Sequence, residues 1–85
     1  MSEQEIGVVT HYFNHIHVMT VNITDGELSV GDTIHVKGHT SDFTATVKSM
    51  EVEHKHVDKA GPGDSVGIKV EEHAREHDKV YKLTE

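Results

Sequence analysis

The chain has no cysteine, no tryptophan, a single proline, and no apolar run long enough to cross a bilayer. The absence of cysteine excludes disulfides, thiolate metal sites and a cysteine nucleophile. Aromatics are scarce: Tyr12, Phe13, Phe43 and Tyr81 make up the whole set. Cations are scarce too, with 8 Lys and Arg against 15 Asp and Glu, a formal charge of −7. That balance argues against a general grip on phosphate backbones, which needs clustered Lys and Arg. The polar, acidic start Met1-Ser2-Glu3-Gln4-Glu5 does not read as a signal peptide. The expectation is a soluble cytoplasmic protein with no membrane association. Its 85 residues are read as one domain, 1–85. A chain of this size buries only roughly 60% of its unfolded surface, so the core must be small.

What is abundant is histidine. Nine are present, and protonating all of them would move the formal charge from −7 to +2. Free imidazole titrates near pH ~6.5, so the surface charge is sensitive to mild acid.

Alternation of apolar and polar residues dominates the pattern, and helical periodicity is nearly absent. Strands are expected over 5–13, 16–24, 32–37, 66–70 and 79–83, with turns at Asn14-His15 and Asp25-Gly26. The second strand is expected to put His17, Met19, Val21 and Ile23 on one face. The segment 43–57 carries a phase error, because Phe43, Ala45 and Val47 are odd while Met50 and Val52 are even. One strand buries both sets only with an extra residue, so a β-bulge is expected near Lys48-Ser49. Gly61-Pro62-Gly63 marks a loop within 58–64. Only 71–78 has helical composition, enough for a turn or a single helical loop. The fold class is all-β: a small closed barrel, which removes exposed edges.

Histidine pairs at 15/17 and 54/56 have strand spacing, and 73/77 has helical spacing. Such pairs suit a metal ion, but a structural zinc site needs four ligands and no zinc motif is present. No metal and no other cofactor is expected. The chain has no nucleophile elbow and no phosphate loop. No catalytic residues are therefore assigned, and the chain alone is not expected to bind GTP. Tyr12 and Phe13 point to opposite faces, so one of them is exposed beside His11 and His15, a small stacking platform. Phe43 alternates with Ala45 and Val47 and belongs to the core.

Three motifs carry a family resemblance. They are Asp25-Gly26-x-Leu28-x-Val30-Gly31-Asp32, Val47-x-x-Met50-Glu51, and Ala60-x-x-Gly63-Asp64-x-Val66-Gly67-Ile68. In this order they resemble the second domain of elongation factor Tu and related translational GTPases, over most of the chain. The ending His77-Asp78-Lys79-Val80-Tyr81 resembles the family's closing strand without its usual Arg-Gly. The resemblance implies a Greek-key barrel of six to seven strands. In elongation factor Tu this domain helps to hold the aminoacylated 3′ end of tRNA, and Glu51 stands where a participating glutamate stands there. The family's Gly-Arg-Gly is replaced by Asn14-His15-Ile16, which removes a cation from that pocket. Gly7 to Asn14, Lys37 to Phe43 and Glu53-His54-Lys55 resemble barrels of this family appended to collagenase-like peptidases.

The leading expectation is a non-enzymatic binding module engaging RNA or a ribonucleoprotein, such as tRNA or the ribosome. Its candidate ligand-binding residues are His11, Tyr12, His15, His17 and Glu51. The alternatives are an accessory domain docking on a separate enzyme or GTPase, and a histidine-based metal-binding barrel.

Overall fold

The computed structural model describes residues 2–84. All regular structure is strand: β1 (Ser2–Phe13), β2 (Val18–Ile23), β3 (Leu28–Ser29), β4 (Thr33–Lys37), β5 (Asp42–Thr46), β6 (Met50–Val52), β7 (Lys55–Val57), β8 (Lys59–Ala60), β9 (Ser65–Lys69) and β10 (Lys79–Thr84). Eight of them form one sheet in the order β5-β4-β10-β1-β2-β9-β6-β7, and β3 pairs with β8. Every pairing is antiparallel. The last strand returns to lie beside the first, as a Greek-key connection requires.

The alternation in the sequence becomes an inside and an outside. Met19, Val21 and Ile23 of β2, Ile34 and Val36 of β4, and Val66 and Ile68 of β9 are buried. Ile6, Leu28, Phe43, Met50 and Val80 complete the centre of the core. Strand β1 serves two partners, β10 along its first half and β2 along its second. The register slips between Glu5 and Gly7 on one side, and between Val9 and His11 on the other. These bulges let one strand bend round the core.

Three turns share one construction. The carboxylates of Asp32, Asp64 and Asp78 accept hydrogen bonds from the amides of Ser29, Gly61 and Arg75 at 2.8, 2.9 and 2.9 Å. Each aspartate amide returns a bond to the carbonyl of the same partner. The residue before each aspartate has positive φ: Gly31 at 100°, Gly63 at 92° and His77 at 74°. Positive φ at the third position defines a type II turn, and Pro62 fills the second position that suits proline. These turns launch β4, β9 and β10.

Several expectations need correction. The turn after β1 takes in residues 14–17, and His17 has φ 56°, so it does not sit on the strand with Met19. The stretch 43–57 is not one bulged strand. The phase change does fall where it was expected, but as a break at residues 47–49 with a change of partner: β5 pairs with β4, and β6 pairs with β9. Val47 there exchanges backbone bonds with Gly31 and Asp32 at 2.8 Å. Glu53 and His54 then form a tight turn into β7, with φ values of 53° and 66°. Strands β3 and β8 were not foreseen. Residues 71–78 hold no helix, so His73 and His77 share no helical face.

The hydrogen-bonded ladder does not close into a ring. It ends at β5 on one side and β7 on the other. Residues 47–49 carry the chain from edge strand β5 across to β6 without closing the ladder. The chain is a rolled, Greek-key β-structure open along one seam. Among the described residues no helix is long and apolar enough to cross a membrane.

Candidate functional site

Register across the sheet decides which of the candidate residues meet. His11 of β1 pairs with Thr20 of β2, Thr20 with Gly67 of β9, Gly67 with Glu51 of β6, and Glu51 with His56 of β7. Residues paired in this way point to one side of the sheet. Val66 and Ile68 are buried, so this row faces outward. With strands about 4.8 Å apart, the backbones of His11 and Glu51 lie roughly 14 Å apart along the row. Gly67 has no side chain, and a Cβ added there would meet Val18 Cγ1 at 3.4 Å.

One rim of this face is aromatic. The His11 and Phe13 rings meet edge to face with centroids 4.3 Å apart, and Phe13 is 45% exposed. Val18 and Lys69 lie in register with Phe13. The other rim is polar, with Glu51 Oε2 at 3.5 Å from His56 Nε2. The arrangement offers a flat apolar ring to stack on, a carboxylate that accepts hydrogen bonds, and imidazoles that can donate or accept them.

The remaining candidates lie elsewhere. Tyr12 belongs to the inner row with Met19 and Ile68, half-buried against the core. Its hydroxyl is 3.3 Å from His17 Nδ1, and its ring lies 4.4 Å from that of His73. His15 is exposed in the turn beside Ile16, which is itself 59% exposed. The structure therefore joins His11 with Glu51 on one face, and Tyr12 with His17 at the rim. Sequence reasoning overlooked Gly67, Lys69 and His56. Gly67 and Lys69 were within reach, since burial of Val66, Ile68 and Val70 forces their odd-numbered neighbours outward. Among the described residues no three His, Asp or Glu side chains converge as a metal ion would require.

One histidine is held firmly, away from this face. His35 Nδ1 lies 2.6 Å from Glu3 Oε2, and His35 Nε2 lies 2.5 Å from Asp42 Oδ1. Carboxylates only accept, so both ring nitrogens must carry protons and the ring is an imidazolium. The hydrogen bond to Asp42 raises the His35 pKa most, that to Glu3 adds to it, and burial opposes both. Asp42 is lowered in turn by its bond to His35.

The architecture is that of a translation-factor second domain, and comparison with known proteins agrees. The model of elongation factor Tu domain 2 matches residues 17–77, so the chain belongs to that family. It is 38% identical over 82 residues to an uncharacterized protease of Methanocaldococcus jannaschii, covering 95% of this chain and 20% of that protein. It is 33% identical over 79 residues to a collagenase of Porphyromonas gingivalis, covering 92% of this chain and 22% of the collagenase. The chain thus spans about a fifth of the length of these relatives. A solved structure of similar fold is the C-terminal domain of a protein assigned to the U32 peptidases in Geobacillus thermoleovorans. Its TM-score is 0.87 at 21% identity, with 95% of this chain and 93% of that one covered. A selenomethionine variant of the same domain gives 0.85, with 91% and 96% covered.

Proposed function

We propose that this chain is a non-enzymatic binding module that holds an unpaired RNA end, of the kind tRNA presents, on the outer face between Phe13 and Glu51. The observation that supports this most directly is the row His11–Thr20–Gly67–Glu51–His56, which sets an exposed aromatic rim and a carboxylate on one outer face. A base stacks on Phe13, and Glu51 accepts from a ribose hydroxyl or an exocyclic amine. His11 and His56 add hydrogen-bonding groups beside these two anchors. In a longer protein such a domain presents its ligand to a separate catalytic region, as the peptidase relatives suggest.

Titration with unmodified tRNA at pH 6 and pH 7.5, each at low and moderate salt, tests the reading. Binding is expected at low salt and to weaken as salt is raised. Loss of one stacking contact is worth about 1–3 kcal/mol, so Phe13→Ala is expected to weaken binding roughly 5- to 150-fold. Glu51→Gln tests the opposite rim. No binding at low salt and pH 6 overturns the reading. The exposure of Phe13 and Ile16 together would then favour a protein-docking face.

A further inference from the structure

The open seam has the shape of a missing strand. Where β6 leaves β5 to pair with β9, the register ends at Met50 opposite Ile68 and Glu51 opposite Gly67. Continued, the antiparallel ladder would set Lys48 against Val70 and Thr46 against Glu72, but those rungs are not formed. Between the diverging segments lies a cleft of about 710 Å³. Residues 43–46 form one wall and residues 69–72 the other. A sheet face is lined by alternate residues, whereas four consecutive residues on each side mark two backbone edges.

The lining has a polarity. Phe43 and Val70 are buried at the floor, with Ala45 half-buried beside them. Lys48 and Lys69 stand at the closed end, where the rungs stop, and Glu71 and Glu72 line the cleft toward its mouth. Among the described residues none of these four makes an ion pair. The glutamates disfavour an entering polyanion, while the lysines suit a single carboxylate at the inner end.

We propose that the seam takes the free C-terminal tail of a polypeptide as an added strand. The tail lies parallel to β5 with its terminal carboxylate at Lys48 and Lys69 and small apolar side chains against Phe43, Ala45 and Val70. Backbone pairing supplies affinity, and the carboxylate supplies direction. The site shares Lys69 with the Phe13–Glu51 face but is otherwise built from different residues, and it does not depend on the RNA reading.

The test uses the peptide acetyl-Thr-Val-Thr-Val with a free carboxylate and the same peptide as its C-terminal amide. Isothermal titration and amide NMR of the labelled chain report the binding. The acid is expected to bind at least tenfold more tightly than the amide. It is also expected to slow hydrogen exchange within residues 43–46 and 69–72. Lys48→Gln with Lys69→Gln, both exposed, should remove the difference between acid and amide. Ala45→Trp, which fills the cleft, should abolish binding while the NMR spectrum stays dispersed. Equal affinity for acid and amide, no binding at millimolar peptide, or shifts confined to the Phe13 face would each overturn the proposal.

Discussion

At the scale of single residues, His35 shows how position turns an ordinary imidazole into a fixed cation. Its folded pKa is raised, so its contribution to stability is complete below the unfolded value near pH ~6.5 and is lost as pH rises through the folded value. Asp42 is lowered, so its share is complete above the unfolded value near pH ~3.8 and is lost as pH falls through its folded value. The clamp is therefore strongest in mild acid, between those limits. Thermal melts should show a Tm that falls from pH 5.5 to pH 8, and His35→Gln should flatten that dependence. A wild-type Tm indifferent to pH across this range would contradict the imidazolium assignment. Alternation in the sequence already turned His35 toward water. Its two carboxylates could not be read there, since Glu3 is 32 positions away and comes from a strand two places across the sheet.

At the scale of elements, the three aspartate turns explain both what the sequence disclosed and what it concealed. Gly31-Asp32 and Gly63-Asp64 announced two strand starts because glycine before aspartate is the signature of that turn. The third turn is the same object with His77 in place of glycine, and the Ala, Arg and Glu around it suggested a helix. Local bonding of Asp78 to the Arg75 amide outweighed that propensity. His77→Gly should thus stabilise the fold by about 0.5–1 kcal/mol, relief of left-handed strain offset by the greater freedom of glycine when unfolded. Gly31→Ala should destabilise it by roughly 1–2 kcal/mol, although its added methyl would meet nothing within 4 Å, because the strain lies in the backbone alone. Urea melts measure both. The hairpin of β6 and β7 was hidden for a related reason, since Glu53-His54 takes up positive φ without the Asn or Gly that usually signals it.

At the scale of the whole molecule, the alternating pattern was enough to read an all-β class, the inward set of Ile34, Val36, Val66 and Ile68, and the phase change near Lys48. It left the inward face at the start of β2 open, and it could not show that the ladder would stay unclosed, because closure depends on which distant edges pair and each edge looks locally the same. Ile68 lies where this assembly is knotted most tightly, fully buried and in register with Met19 on one side and Met50 on the other. Ile68→Ala should cost about 2–5 kcal/mol in chemical denaturation. Ile16→Ala on the exposed turn should stay within about 0.5 kcal/mol of the parent. The pairing of the outermost strands has a different kind of consequence. Ser2 lies opposite Thr84, and their hydroxyls are 2.6 Å apart. A pulling force applied at these two points acts across the β1–β10 ladder at its end, so it opens that ladder one rung at a time, like a zip. The domain is thus mechanically soft to a force applied between Ser2 and Thr84, however firmly its core resists heat or urea.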